Sequence, residues 1–112
     1  MDEKIQKWLY DIQDAIVEIE SYFDNFPKDF SSYQKNTLLK RAIERDLEII
    51  GEAVNRILRQ DETFPIENAK RIVGLRNQII HAYDSISDEN IWAILIKHLP
   101  ILKKEISDLI KE

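Results

Sequence analysis

The chain has 112 residues, 44% of them apolar and 33% charged, which is long and apolar enough for one folded domain. Its 16 basic and 21 acidic residues give a formal charge of -5, which excludes a general attraction to nucleic acid or anionic lipid as its main property. The absence of cysteine excludes disulfides and thiolate zinc sites, and only two Gly and three Pro argue against a β-sandwich or barrel. We therefore expect a single all-α domain over residues 1–112.

Several features predict a protein of the cytoplasm without a membrane partner. The longest apolar run, Ile91 to Ile96, is far shorter than the roughly 20 residues that span a bilayer. The N-terminus carries Asp2 and Glu3, where a secretory signal peptide has basic residues. The two His residues are too far apart in sequence to form a metal cluster by themselves, so we expect no metal and no other cofactor.

Apolar residues at three- and four-residue spacing predict an antiparallel bundle of four to five helices. The first helix is expected from about Asp2 to Phe23. Segment 25–32 should interrupt the helical pattern, because Pro27 disfavours helical geometry at the residue before it. Ser31 and Gln34 have the spacing of a capping box for the next helix.

The second predicted helix is the longest, from about Tyr33 to Arg59. Gly51 within it costs about 1 kcal/mol of helix propensity relative to Ala, which indicates a close crossing with another helix. The third helix is expected over residues 65–83, with a proline in its first turn and Thr63 or Asp61 as its cap.

The last two predicted helices are defined by a cap and a proline. Ser87 is expected to cap the fourth helix, with Asp88 and Glu89 in its first turn, where acidic residues are favoured. Pro100 cannot continue that helix without a kink and is well placed to open a fifth.

The stretch from Arg76 to Asp84 concentrates the most reactive side chains of the chain. Arg76 and His81 are five residues apart, about 140° around a helix, so they do not point the same way. The long guanidinium can wrap around the helix edge, and a two-fold partner can bring a second copy of each beside the first. A neutral His81 imidazole can remove the proton of a ribose 2′-OH or protonate the leaving 5′ oxygen. Arg76 can hold the phosphate, and Asn77 can orient the ring. Together these residues suggest a ribonuclease site without metal.

Structural roles for the same residues stay open on chemistry alone. Arg76 can be the ion-pair partner of a carboxylate on the second helix, such as Asp46 or Glu52. His81 can be a solvated or hydrogen-bonded structural residue, and Tyr83 a core or interface aromatic.

The segment RNQIIHAY, residues 76–83, resembles the R-x4-H-x-Y motif of HEPN-domain proteins, specifically of the HepT-like group. Residues 44–53, ERDLEIIGEA, resemble the second-helix signature of that group. Residues 91–92 and 99–100 resemble its C-terminal part. The resemblance covers nearly the whole chain.

The resemblance implies a HEPN-like helical domain that forms a two-fold homodimer, with the motifs lining a shared cleft. Such proteins are metal-independent endoribonuclease toxins, so Arg76 and His81 would be catalytic and RNA the substrate. In the HepT group the partner is a small nucleotidyltransferase antitoxin that transfers AMP from ATP to the motif tyrosine, here Tyr83. The added phosphate charge would occupy Arg76 and repel RNA, and the complex can extend to a larger hetero-oligomer.

Because the net charge does not favour RNA, binding should depend on a local cluster that includes Lys70, Arg71 and Arg76. Asp46 and Glu52 are expected to support Arg76 from the second helix. The alternative function is a non-catalytic helical subunit of the nucleotidyltransferase, which binds nucleotide or partner through Arg76 and cleaves no RNA.

Overall fold

The computed structural model describes residues 2–81 and 86–111. Six α-helices and one π-helical segment lie in this part: α1 Glu3–Tyr22, α2 Phe30–Lys35, α3 Thr37–Gln60, α4 Ala69–His81, α5 Asp88–Ala93, the π segment Ile94–His98 and α6 Leu99–Lys111. No strand occurs within these ranges, so the all-α prediction is confirmed. None of the described helices has an apolar stretch of membrane-spanning length.

Helix α3 is the centre of the bundle. Helices α1 and α4 both pack along it, α6 packs against α1, and the short α2 joins α3 to α5. In the part of the chain that the structure describes, α4 packs against α3 and no other helix. The helix that carries the R-x4-H motif therefore packs directly on α3, with a groove between it and α1 and a cavity between it and α6.

Two predicted helix starts are confirmed by their caps. The Asp2 carboxylate accepts hydrogen bonds from the backbone N–H groups of Lys4 at 2.7 Å and Ile5 at 3.2 Å, at the start of α1. Ser87 Oγ accepts one from Asn90 at 3.1 Å, at the start of α5.

The predicted capping box of Ser31 and Gln34 is wrong, and the predicted second helix is two helices. Asp29 caps α2, its carboxylate accepting a backbone N–H three residues on at 2.9 Å. Asn36 has extended backbone geometry and caps α3 in the same way at 3.0 Å. Asx side chains stabilise helix starts by accepting these otherwise unpaired N–H groups, and Asn36 thereby also ends α2.

The third helix starts later than predicted, at Ala69. Asp61 does not cap that helix but ends α3, where its N–H donates to the carbonyl of Ile57. Its carboxylate accepts hydrogen bonds from both the backbone N–H and the hydroxyl of Thr63, which closes a local turn. Asn68 has a φ of 62°, in the left-handed region, and separates this connection from α4.

The predicted change of helix at Pro100 is found one residue earlier, at Leu99. A π-helical segment precedes it, and the Leu99 N–H donates to the carbonyl of Ile94. Pro100 lacks an N–H, and it lies in the first turn of α6, where a helix tolerates that loss.

Gly51 lies at the crossing of α3 and α4, as predicted. A Cβ atom at this position would overlap with Cβ of Arg76. It would also lie 2.9 Å from Cγ of Arg76 and 3.3 Å from the carbonyl oxygen of Ile72. Only glycine lets the two helices approach this closely. The absence of a side chain at Gly51 therefore lets Arg76 lie directly against α3.

An aromatic cluster connects α2 to α5. The Trp92 ring lies 5.3 Å from the Tyr33 ring, 6.2 Å from Phe30 and 6.0 Å from Phe23, between centroids. Tyr33 is fully buried, and its hydroxyl has no hydrogen-bond partner within residues 2–81 and 86–111. Trp92 is thus a packing residue.

Candidate active site

A polar groove of about 350 Å³ follows α3 between α1 and α4. Its charged lining consists of three arginines and three carboxylates: Asp11, Arg45, Glu48, Glu52, Arg56 and Arg76. Trp8 and Ile80 add apolar surface from α1 and α4. The groove therefore combines guanidinium groups with an aromatic ring, the side chains that bind phosphates and bases.

Arg76 is anchored in this groove by Glu52. Its Nη2 lies 2.6 Å from Glu52 Oε2, and its Nη1 donates a hydrogen bond to Asn77 Oδ1 at 2.9 Å. Glu52 also accepts a hydrogen bond on Oε1 from Nε of Arg56, at 3.2 Å. Arg56, Glu52 and Arg76 form a triad of two cations and one anion, which leaves positive charge for a phosphate.

The contact between Arg76 and Glu52 is ionic, without an aligned hydrogen bond. Glu52 Oε2 and Arg76 Nε are both buried, and neither has a hydrogen-bond partner among the residues described. A buried donor without a partner is costly, and an incoming anion would relieve that cost. The guanidinium of Arg76 is thus held in place and still has a donor to offer.

His81 is the last residue of α4 and is exposed. It is not among the residues that line the groove with Arg76, which agrees with the expected angle of about 140° between the two positions on one helix. Asn77 uses its carbonyl oxygen for Arg76, so its orientation of the His81 ring stays a prediction.

Asp46 does not join this group, although the sequence places it near Glu52. It is only 2% exposed and accepts a hydrogen bond from Tyr22 Oη at 2.6 Å, on the side of α3 that faces α1. Six residues along an α-helix correspond to about 120° of net rotation, so Asp46 and Glu52 occupy different faces. The expected support of Arg76 therefore comes from Glu52, and Asp46 connects α3 to α1.

The Asp46 carboxyl has an altered acidity. Burial raises its pKa to about 6, and the hydrogen bond from Tyr22 opposes this shift. Tyr22 Oη also lies 2.8 Å from Glu18 Oε1, so a single phenol hydrogen is positioned between two carboxylates. Burial and the hydrogen bond to Asp46 raise the pKa of Tyr22. The arrangement favours a proton on one carboxyl group.

The remaining candidates lie away from the groove or outside the described residues. Lys70 and Arg71 are exposed in the first turn of α4, and Arg71 lines a separate, mainly apolar cavity of about 270 Å³ with His98. Their contact with RNA phosphates stays a prediction. Tyr83 falls in the stretch 82–85, which lies outside the described residues.

Sequence reasoning did not single out Trp8, Arg45 or Arg56 as site residues. Arg56 follows Glu52 by four residues, and Arg45 precedes Glu48 by three, the spacings at which helical side chains pair. This spacing of opposite charges is a sequence signal that could have identified Arg45 and Arg56. Trp8 gave none, because only the packing of α1 on α3 shows which tryptophan borders the groove.

Comparison with known proteins places these observations in a family. The family model described as Ribonuclease HepT-like matches residues 12–109. One protein of Methanocaldococcus jannaschii is 34% identical over 108 residues, covering 91% of this chain and 93% of its own length. A second from the same organism is 35% identical over 104 residues, with the same coverage of 91% and 93%.

A third relative comes from Caldanaerobacter subterraneus subsp. tengcongensis. It is 33% identical over 84 residues, which cover 74% of this chain and 75% of its own length. The names of all three relatives describe them as candidate RNases. No solved structure matches the chain.

Proposed function

The chain belongs to the ribonuclease HepT-like family, and from this premise we propose that it is a metal-independent endoribonuclease, the toxin of a toxin-antitoxin pair. Its substrate is RNA in the cytoplasm. The names of its relatives as candidate RNases support the reaction class. The observation that carries the proposal is that Glu52 anchors Arg76 while the buried Nε of Arg76 has no partner in the described part of the chain, and that His81 is exposed on the same helix.

The active site is completed by a second copy of the chain. Arg76 lies in the groove and His81 does not, so one chain by itself does not present the pair on one surface. Helix α4 packs only on α3 within the described part, and Asn77, Gln78 and His81 are exposed on it. An isologous two-fold contact through this helix would place His81 of one copy opposite Arg76 of the other.

In this site the neutral imidazole of His81 removes the proton from the ribose 2′-OH. The 2′ oxygen attacks the adjacent phosphorus, a 2′,3′-cyclic phosphate forms, and the bond to the 5′ oxygen breaks. The leaving 5′ oxygen takes up a proton from the imidazolium or from water. Arg76 stabilises the charge that develops on the phosphoryl oxygens.

The proposed antitoxin is a small nucleotidyltransferase that silences the site through Tyr83. Transfer of AMP from ATP to the phenol oxygen of Tyr83 releases pyrophosphate and leaves a phosphodiester two residues from His81. Its negative charge would compete with RNA for Arg76. Toxin dimer and antitoxin form a complex that can extend to a larger hetero-oligomer.

The test is cleavage of total cellular RNA by the purified protein in EDTA. Wild type should cleave, His81→Ala should not, and His98→Ala, the matched control at the other histidine, should cleave like wild type. Circular dichroism verifies folding, and intact mass identifies any AMP already on Tyr83. Unmodified, folded wild type without activity would overturn the proposal and favour the non-catalytic subunit.

A further inference from the structure

We propose that Trp8 and Arg56 form a nucleotide-binding subsite, in which a base of single-stranded RNA stacks on the Trp8 ring and the neighbouring phosphate binds Arg56. The subsite occupies the groove along α3 that also holds Arg76. The inference rests on the proposed function, since it names the part of the RNA that this groove recognises.

The first observation is the position of Trp8. It is half-buried on α1 and borders a groove whose other lining side chains are largely charged. In the described ranges its ring pairs with no other aromatic ring, whereas the other tryptophan, Trp92, is packed against three. An aromatic ring on a polar groove is a stacking platform for unpaired bases.

The second observation is the free edge of Arg56. Its Nε is committed to Glu52, and its Nη atoms have no acceptor among residues 2–81 and 86–111. Its side chain is 53% exposed. Arg76 already uses both Nη atoms for Glu52 and Asn77, and Arg45 contacts Glu48. Arg45 is more exposed, at 70%, but commits one Nη atom to Glu48, so Arg56 is the groove arginine whose two Nη atoms are both free, within the described part, for bidentate binding of a phosphate.

Glu52 aligns the two arginines. It contacts Arg56 through Oε1 and Arg76 through Oε2, so both guanidinium groups are held on the same carboxylate. A phosphate bound at Arg56 would be separated by Glu52 alone from Arg76, the residue proposed to act at the scissile phosphate. The subsite thus positions a nucleotide next to the one that is cleaved.

The charge of the groove determines how binding should respond to salt. Its three arginines are balanced by three carboxylates, so the groove lacks the strong positive field that would bind any polyanion. Affinity must come from stacking and from a few directed contacts. Each phosphate contact on a single strand contributes about 0.7 to the slope of log affinity against log salt concentration.

The test uses a single-stranded oligonucleotide with 2′-O-methyl riboses, which binds and cannot be cleaved. The chain has two tryptophans, so Trp92→Phe leaves only Trp8 and Trp8→Phe leaves only Trp92. The oligonucleotide should quench the fluorescence of Trp92→Phe and leave that of Trp8→Phe unchanged. Trp8→Phe should also bind about tenfold more weakly, and a duplex of the same sequence should quench neither.

The second part of the test compares two variants that each remove one positive charge. Arg56→Gln should weaken binding about tenfold and lower the salt slope by about 0.7. Arg59→Gln removes the same charge from an exposed position at the end of α3 outside the groove, and it should bind like wild type. If Trp92→Phe does not fold, wild type labelled with 5-fluorotryptophan resolves the two rings by fluorine NMR.

The outcomes separate this inference from the proposed function. Quenching at Trp8 without RNA cleavage by wild type would retain the subsite and overturn the nuclease. Cleavage by wild type with unchanged affinity in both Trp8→Phe and Arg56→Gln would retain the nuclease and overturn the subsite. A response confined to Trp92 would also overturn it.

Discussion

Replacement of Gly51 by Ala tests whether the close crossing of α3 and α4 positions Arg76. The new Cβ would lie 2.9 Å from Cγ of Arg76 and nearer still to its Cβ. Carbon atoms at optimal contact are about 3.5–4.0 Å apart, so α4 must move outward by about 1 Å. Alanine gains about 1 kcal/mol of helix propensity, while overpacking costs about 1–3 kcal/mol. We expect the free energy of unfolding to fall by about 1 kcal/mol.

Gly74→Ala is the matched control, because it makes the same change on α4 itself. A Cβ at Gly74 would have no atom within 4 Å. Only the gain in helix propensity applies there, so the free energy of unfolding should rise by about 1 kcal/mol. The two variants should then differ by about 2 kcal/mol, or about 10 °C in Tm at equal protein concentration.

Activity provides the second readout of the same pair. A displacement of about 1 Å between Arg76 and Glu52 should lower RNA cleavage by about 10- to 100-fold in Gly51→Ala, since catalytic geometry tolerates little misplacement. Gly74→Ala should leave the contact between Arg76 and Glu52 in place and lose less activity than Gly51→Ala. Thermal unfolding by circular dichroism and a cleavage assay suffice; equal Tm gains and equal activities in both variants would refute the reasoning.

Three further substitutions test other parts of the structure. Asp46 has a pKa raised from 3.8 to about 6 in the folded chain, so the native state holds the proton longer and stability should fall as pH rises from about 4 to 6. In urea titrations, Asp46→Asn should remove that pH dependence and be about 1–3 kcal/mol more stable than wild type above pH 6. An unchanged pH profile would show that Asp46 is not the cause of the pH dependence. Tyr33→Phe removes a buried hydroxyl without a partner in the described part, so urea titration should show stability equal to wild type or about 1 kcal/mol higher, and a loss of stability would indicate a partner for that hydroxyl. Glu52→Gln removes the carboxylate that aligns Arg76, so steady-state kinetics should show a lower kcat with unchanged or lower KM; an unchanged kcat would show that Glu52 does not position Arg76.

The sequence was sufficient where one local interaction determines the structure. Asp2 and Ser87 each bind the backbone N–H groups that follow them, so their helix starts could be predicted. The role of Gly51 could be recognised because glycine destabilises the interior of a long helix, and close contact with another helix commonly explains its presence there. The motif from Arg76 to His81 was recognisable by residue type and spacing.

The sequence was insufficient where a choice depends on tertiary packing. Asp46 and Glu52 both had the chemistry to support Arg76, and only the packing of α1 and α4 on different faces of α3 assigns them to different partners. Asn36 falls within a continuous helical pattern, and its cap becomes decisive only because α2 turns to pack against α5. Trp8 likewise borders the groove through the placement of α1.

The proposed active site is shared between two copies of the chain, and mixing two inactive variants tests this sharing most directly. Arg76→Ala and His81→Ala should each fail to cleave RNA in EDTA. After unfolding and refolding together in equal amounts, about half of the dimers are mixed, and each can hold one intact pair across the interface. We predict recovery of about a quarter of wild-type activity; an active wild type with no recovery in the mixture would contradict the shared site.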